Sequence, residues 1–390
     1  MFLELHILQN FAPSNLNRDD TNSPKSCEFG GYPRARISSQ CLKRAIRTYF
    51  KDGSLLPPSD LAVRTKRLLE ELTRRLEGAG RDPEQARSVV ITALAGVGFK
   101  VVEEDKTQYL LFLGEREIAR IADACLQNWD SLAAIAPVEP GGTAKQAKKT
   151  AKDQVPAEVA KTLNRGLDGG KAADLALFGR MLADRPELNV DAACQVAHAL
   201  STNRVATDFD FYTAVDDLKP EDTAGADMLG TVEFNSACFY RYSNLDLDQL
   251  RQNLSGDREL ASSAVAAFVE AAVRAVPTGK QNSMAAHNPP SLILATLSHA
   301  HPQNLANAFV DPVRPTDQGD LVHNSIRTLD QYWERLAKMY GAADLEGAWV
   351  CTSHDHVLGT LAPHNVESFG DLLKGVTQAV SSHLAGGAHA

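Results

Sequence analysis

Between residues 230 and 242 the side chains alternate. Val232, Phe234, Cys238, Tyr240 and Tyr242 share one parity, and Glu233, Asn235, Ala237, Phe239 and Arg241 share the other. A two-residue period over that length is incompatible with the 3.6-residue helical period and requires an extended strand. Residues 208–217 have the same character, and a Pro-, Gly- and Asp-rich tip at 220–225 lies between the two runs, so together they predict a long β-hairpin. Residues 2–9, with Leu3, Leu5 and Ile7 on one face, predict a strand central to a sheet, and residues 292–297 predict another.

Helical spacing dominates elsewhere. Ser38 or Ser39 caps a helix whose apolar residues are Leu42, Ala45, Ile46 and Tyr49. Gln40, Lys43, Arg44, Arg47 and Lys51 recur along it at three- and four-residue intervals, which stacks them on one face. Helices are expected at 60–76, 83–94, 116–128, 156–164, 192–200, 262–276, 326–340 and 369–384. A stretch without apolar anchors, 140–153, carries Lys145, Lys148, Lys149 and Lys152 and reads as an exposed linker, although its lysines are also suited to phosphate. Residues 10–33 are dense in Asn, Ser, Pro, Gly and Asp, and a loop that long is usually functional or disordered. The order strand, helix, strand, helix, strand points to an α+β fold with a ferredoxin-like or RRM-like sheet carrying insertions.

Charge is distributed unevenly. The chain's formal net charge of -9 excludes a uniformly basic nucleic-acid coat, because phosphate binding is driven by Lys and Arg releasing counterions. Yet residues 14–51 hold eight basic side chains (Arg18, Lys25, Arg34, Arg36, Lys43, Arg44, Arg47, Lys51) against three acidic ones. Residues 205–227 hold seven acidic side chains against Lys219 alone. Such a chain suits a polyanion at one patch and a copy of itself at the other, unless the charge is simply scattered over the surface. Six cysteines without a CxxC pair suggest neither zinc nor a disulfide framework. The longest apolar-rich stretches, 89–99 and 291–297, fall short of the roughly 20 residues a membrane span needs. With no signal-like start after Met1, the expected location is cytoplasmic, with no membrane partner.

The strongest local signal runs from Arg34 to Arg47. Hydroxyls and backbone N–H groups at a helix start favour an anion, and cations one turn further on neutralise neighbouring phosphates. Nothing in that run distinguishes bases; the alternative is an amphipathic surface helix with solvated cations. Phe209, Phe211 and Tyr212 sit among acidic residues, where rings either stack on unpaired bases, at roughly 1–3 kcal/mol per base, or form a hydrophobic root. Gly279 beside Lys280 in residues 277–282 suits a phosphate contact or a plain turn, and lacks the spacing of a P-loop. Asp19, Asp20 and the run His354, Asp355, His356 are the metal candidates. Adjacent ligands point apart in extended chain and no further partner declares itself, so no metal, cofactor or catalytic residue is expected. His198, on an expected helix, and His6, in a strand, read as packed or hydrogen-bonded.

Pro-Ser-Asn-Leu-Asn-Arg-Asp-Asp (13–20), Phe-Gly-Gly (29–31) and Arg-Ile-Ser-Ser-Gln (36–40) occur together with Gly-Arg-Met (179–181), Thr-Ala-Val-Asp-Asp-Leu (213–218), Phe-Tyr-Arg-Tyr (239–242) and Gly-Lys-Gln (279–281). In this combination the chain resembles the Cascade backbone subunit of type I-E CRISPR systems. The resemblance implies an RRM-like palm in two parts (1–52 and 245–390), a helical fingers insertion (53–190), and a protruding β-hairpin thumb with its return to the palm (191–244). It implies several copies lined up along one CRISPR RNA, kinking the guide and presenting its segments to a target DNA strand. Other Cascade subunits and a recruited nuclease-helicase are the further partners implied. Ser38, Gln40, Lys43, Arg44 and Arg47 would contact guide phosphates, with Arg18 and Lys25 nearby. Lys280, Gln281, Asn282 and Ser283 would approach from the opposite wall. Phe211 and Tyr212 would form the wedge, supported by Met181. The alternatives are a metal-dependent endoribonuclease of a related CRISPR backbone family and a generic single-stranded RNA-binding module.

Overall fold

The strand β1 (Phe2–Ser14) organises the larger part of the chain. It pairs antiparallel on one side with the long strand Met228–Asp246, placing His6 opposite Tyr242 and Leu8 opposite Tyr240. On its other side it pairs with Leu292–Ser298, placing His6 opposite Leu294. Leu3, Leu5 and Ile7 are buried as expected, and so are Glu4, His6 and Leu8 between them, because both faces of the sheet are covered.

In the computed structural model, the residues described are 1–135, 155–167, 171–182, 185–214, 228–299 and 301–386. The lysine-bearing stretch 140–153 and the hairpin tip, with Asp216, Asp217, Lys219, Glu221, Asp222 and Asp227, lie outside them. The fold is mixed α/β, built on a nine-stranded antiparallel sheet. Its main path runs Leu345–Thr352, Leu292–Ser298, β1, Met228–Asp246, Ala199–Ser201, β3 (Tyr32–Ile37) and β2 (Ser26–Phe29). Asp208–Ala214 and Cys194–Val196 also pair with the long strand.

Two compact units emerge. One comprises residues 1–55, 194–247 and 265–390; the other comprises 56–193 and 248–264. In the first, α1 (Ser39–Asp52) buries Leu42, Ile46 and Phe50 at four-residue spacing. Leu42 joins Phe11, Ala35, Ile37, Ala199 and Phe239 in one apolar cluster. Leu8, Tyr240, Tyr242 and Leu294, of the opposite parity, pack with Ile326 and Leu329 of the helix Leu321–Tyr340. The second unit packs Leu68–Gly78, Pro83–Gly96, Glu115–Gln127 and Ala157–Arg165 around Leu72, Leu76, Val90, Leu94, Ile118, Ile121 and Leu163. No helix among the described residues is long and apolar enough to cross a membrane.

Several expectations are corrected. Residues 192–200 are not helical but form the short strands Cys194–Val196 and Ala199–Ser201, both paired with the long strand and the second also with β3. The helix expected at 60–76 begins only at Leu68, after a strand Ala62–Thr65 that pairs with Leu111–Gly114. Part of the expected loop 10–33 is sheet: β1 continues to Ser14, and β2 and β3 form a two-residue hairpin. Its central residues, Gly30 and Gly31, both have positive φ (63° and 78°), which the type I′ turn requires and glycine supplies without steric cost.

Arg34 also leaves the basic patch. It is fully buried, its two Nη groups donating to the carbonyls of Ser201, Thr202, Phe309 and Val310 at 2.7–3.0 Å. Arg241 is likewise internal, donating to Gln9 Oε1 and Ala272 O, both at 2.6 Å, and burial lowers its pKa to about 10. In the second unit Arg180 forms a buried ion pair with Glu117 (2.9 Å), which also accepts from Gly114 N at 2.7 Å. Met181, one residue on, is 84% exposed.

Candidate nucleic-acid interface

The start of α1 is fixed from three sides. Ser38 caps it, its Oγ accepting from Cys41 N (3.3 Å), while Ser38 N donates to Asn17 Oδ1 (2.8 Å). Ser39 N donates to His198 Nδ1 (3.1 Å). Two of the backbone donors that the sequence offers to an anion are therefore spent within the protein, and Ser38 itself is buried. Further along α1, Gln40 and the cation Arg44 are exposed, and the cations Lys43 and Arg47 are half-buried. Lys43 and Arg44 form no ion pair among the described residues. Lys25 and Arg44 both act electrostatically on the Cys41 thiol, whose pKa is raised chiefly by burial, so both cations stand near the helix start.

The loop after β1 is built by its asparagines. Asn15 Nδ2 donates to the carbonyls of Asn22 (3.0 Å) and Glu233 (2.9 Å), and Lys25 N closes the loop onto Asn17 O (2.9 Å). Arg18 is exposed on it. Asp19 is also accounted for: its Oδ1 accepts from Thr21 N, Thr21 Oγ1 and Ser23 N at 2.7–3.0 Å. These bonds, the Thr21 hydroxyl foremost, hold the Asp19 carboxyl below its ordinary pKa.

The Gly-Lys-Gln turn meets the same loop. A Cβ on Gly279 would stand 2.3 Å from Leu16 O and 2.7 Å from Asn15 O, so only glycine permits this approach. Lys280 adopts a left-handed conformation (φ 51°), and Asn282 and Ser283 are exposed. Gln281 turns inward: its Nε2 donates to Pro277 O (3.0 Å) and Ala286 O (3.1 Å), making it a staple of the turn. Segments near residues 15–25, 36–47, 198 and 279–283 thus come together in the first unit.

On the hairpin, Phe209, Phe211 and Tyr212 are 67%, 65% and 40% exposed. The three rings do not share one face of the hairpin. Phe209 and Phe211 share one face, whereas Tyr212 faces the other way, its ring against Gly230. Met181, the expected support, lies in the second unit.

A family model described as CT1975-like protein matches residues 3–375. The chain belongs to the CT1975-like family. It is similar to a chain of a solved structure described as "CRISPR RNA-guided surveillance complex, pre-nicking". The two are 31% identical, over 97% of this chain and 100% of that chain, with a TM-score of 0.83. A chain of a second structure, "CRISPR RNA-guided surveillance complex", is 27% identical over the same shares, with a TM-score of 0.71. No curated protein matches.

Sequence reasoning missed the loop-building roles of Asn15 and Asn17 in this CT1975-like chain, although both stand inside the 13–20 motif. His198 is hydrogen-bonded as expected, but between two short strands rather than on a helix, and its partners at the start of α1 were not anticipated. Among the described residues no group of three His, Cys, Asp or Glu side chains is placed to hold a metal. His354 and His356 have ring centroids 6.2 Å apart, and His354 Nδ1 is hydrogen-bonded to Ser353 Oγ (2.8 Å).

Proposed function

We propose that this chain is a non-catalytic, CRISPR-RNA-binding backbone subunit of a type I-E surveillance complex, several copies of which assemble along one guide. One observation carries this reading: the approach of Gly279 to the Asn15–Leu16 backbone joins the 279–283 turn to the loop and cationic helix more than 230 residues earlier. The cations Arg18, Lys25, Lys43, Arg44, Arg47 and Lys280 on these segments are suited to phosphate and indifferent to bases. Membership of the CT1975-like family and similarity to chains of RNA-guided surveillance complexes support it.

The sheet path Leu292–Ser298, β1, Met228–Asp246, Ala199–Ser201 has the 4-1-3-2 order of a ferredoxin-like core, which supports an RRM-like palm. On the same reading, residues 53–190 are the fingers and the hairpin of 191–244 is the thumb that kinks the guide. Base pairing between the displayed guide and a target DNA strand supplies sequence recognition, and cutting belongs to a recruited nuclease-helicase. The assembly works in the cytoplasm.

The test is co-expression with a repeat–spacer transcript, followed by native mass measurement and electron microscopy. Several copies per RNA, spaced regularly, are expected; monomers indifferent to the transcript overturn the proposal. Incubating the complex with complementary RNA and magnesium tests the non-catalytic part. Regular cleavage lost on Asp19→Ala or Asp20→Ala would favour the ribonuclease reading instead.

A further inference from the structure

His198 sits between the strands Cys194–Val196 and Ala199–Ser201, exposed beside the start of α1. Its Nδ1 lies 3.1 Å from Ser39 N and 3.3 Å from an Arg36 Nη, and both of these atoms can only donate. A ring nitrogen facing two donors must present its lone pair, so the proton of the neutral ring resides on Nε2. Nε2 has no protein partner among the described residues. A second proton would set N–H against N–H. Burial first, then the charges of Arg36 on β3 and Lys25 on the preceding loop, lower the His198 pKa. Around the ring, α1 contributes the Ser39 N–H, β3 contributes Arg36 and the loop contributes Lys25; no carboxylate among the described residues acts on it.

We infer that His198 is an uncharged phosphate-binding residue of this interface, its Nε2–H donating to a non-bridging oxygen of the bound strand. The inference rests on the guide-binding reading above and adds to it a donor of a different kind. Lysine and arginine bind phosphate with release of counterions; a neutral imidazole adds a hydrogen bond without that release. The same ring also ties the ligand to the helix start, since one nitrogen holds Ser39 and the other holds the phosphate.

The test uses the full-length protein and a fluorescein-labelled repeat–spacer RNA, with affinity followed across a salt series. In His198→Asn the amide oxygen stands near the position of Nδ1 and can still accept from Ser39 N, but the outer donor is gone. His198→Gln keeps a donor at the outer reach. His198→Asn is expected to weaken binding roughly tenfold with the salt slope unchanged, and His198→Gln to recover part of the loss. Lys43→Ala, by contrast, flattens the slope by about one. Nitrogen NMR of the wild-type ring should report the Nε2–H tautomer with and without RNA, the Nε2 signal moving on binding. Wild-type affinity in His198→Asn, a slope reduced by one in that variant, or an Nδ1–H ring in the wild type would each overturn the inference. If the wild type ignores the RNA, the guide-binding reading fails first and takes this one with it.

Discussion

Tyr212 lays its ring across Gly230, its direct cross-strand partner, so closely that a Cβ on Gly230 would stand 2.5 Å from Tyr212 Cζ. The hairpin therefore presents aromatic rings on both faces, Phe209 and Phe211 on one and Tyr212 on the other. If both faces meet bases, Phe211→Ala and Tyr212→Ala should each weaken guide binding by about 1–3 kcal/mol. Acting on opposite faces, their losses should add to within roughly 0.5 kcal/mol. Gly230→Val should resemble Tyr212→Ala, because it displaces the ring. A double-mutant cycle on RNA affinity checks this; strong coupling would mean a single shared wedge.

Lys43 is half-buried on α1, its charge reaching the buried Cys194 thiol, and it has no ion pair among the described residues. Lys43→Ala should weaken guide binding and flatten its salt dependence by about one unit, while Lys43→Arg should retain the slope. Preference among RNA sequences should not change, since a phosphate contact carries no base information. Titrations of two unrelated transcripts at several salt concentrations measure both effects.

Gly279→Ala would drive a methyl group into two backbone carbonyls, which cannot swing aside as a side chain tip can. A loss of about 1–3 kcal/mol of stability is expected, as for other overpacked sites. Hydrogen exchange should rise in residues 15–17 and 277–286 and stay unchanged in α1. Equal protection in both segments would show that the close approach is not maintained in solution.

His6 is buried against Tyr240, its Nδ1 2.8 Å from the hydroxyl, and burial lowers its pKa to about 3. A depressed histidine contributes stability that is complete above its unfolded value near 6.5 and is lost as pH falls from there towards about 3. Between about pH 7 and about pH 5 the wild type should lose about 2 kcal/mol that His6→Gln does not lose. Glu4, whose carboxyl is pushed up by burial, acts in the opposite sense but is common to both chains. Urea denaturation of the pair at the two pH values gives the difference directly; parallel losses would refute the assignment to His6.

The long strand was legible because Val232 to Tyr242 keep a two-residue alternation that no helix can show. The helices Pro83–Gly96, Glu115–Gln127 and Ala157–Arg165 were legible because each carries a full apolar face. Segments of three or four residues were not. Neither Cys194–Val196 nor Ala199–Ser201 spans enough chain to establish a period, and both owe their form to the strand beside them. In the candidate interface the cations of α1 could be read in advance, since helical spacing alone lines them up. Arg34 could not be separated from them, because what distinguishes it is four carbonyls from residues 201–202 and 309–310. The inward turn of Gln281 was unreadable for a similar reason, and for His198 hydrogen bonding was legible but its partners were not, since both depend on which groups the fold brings within 3.3 Å.

β1 lies inside the sheet, paired along both edges, yet neither of its partners is near it in the chain. Its neighbours are residues 228–246 and 292–298, each pairing more than 220 residues distant along the chain, and pairings that remote are slow to form. Until both pairings form, a segment as apolar as Leu3 to Leu8 leaves two strand edges open to mispairing with other chains.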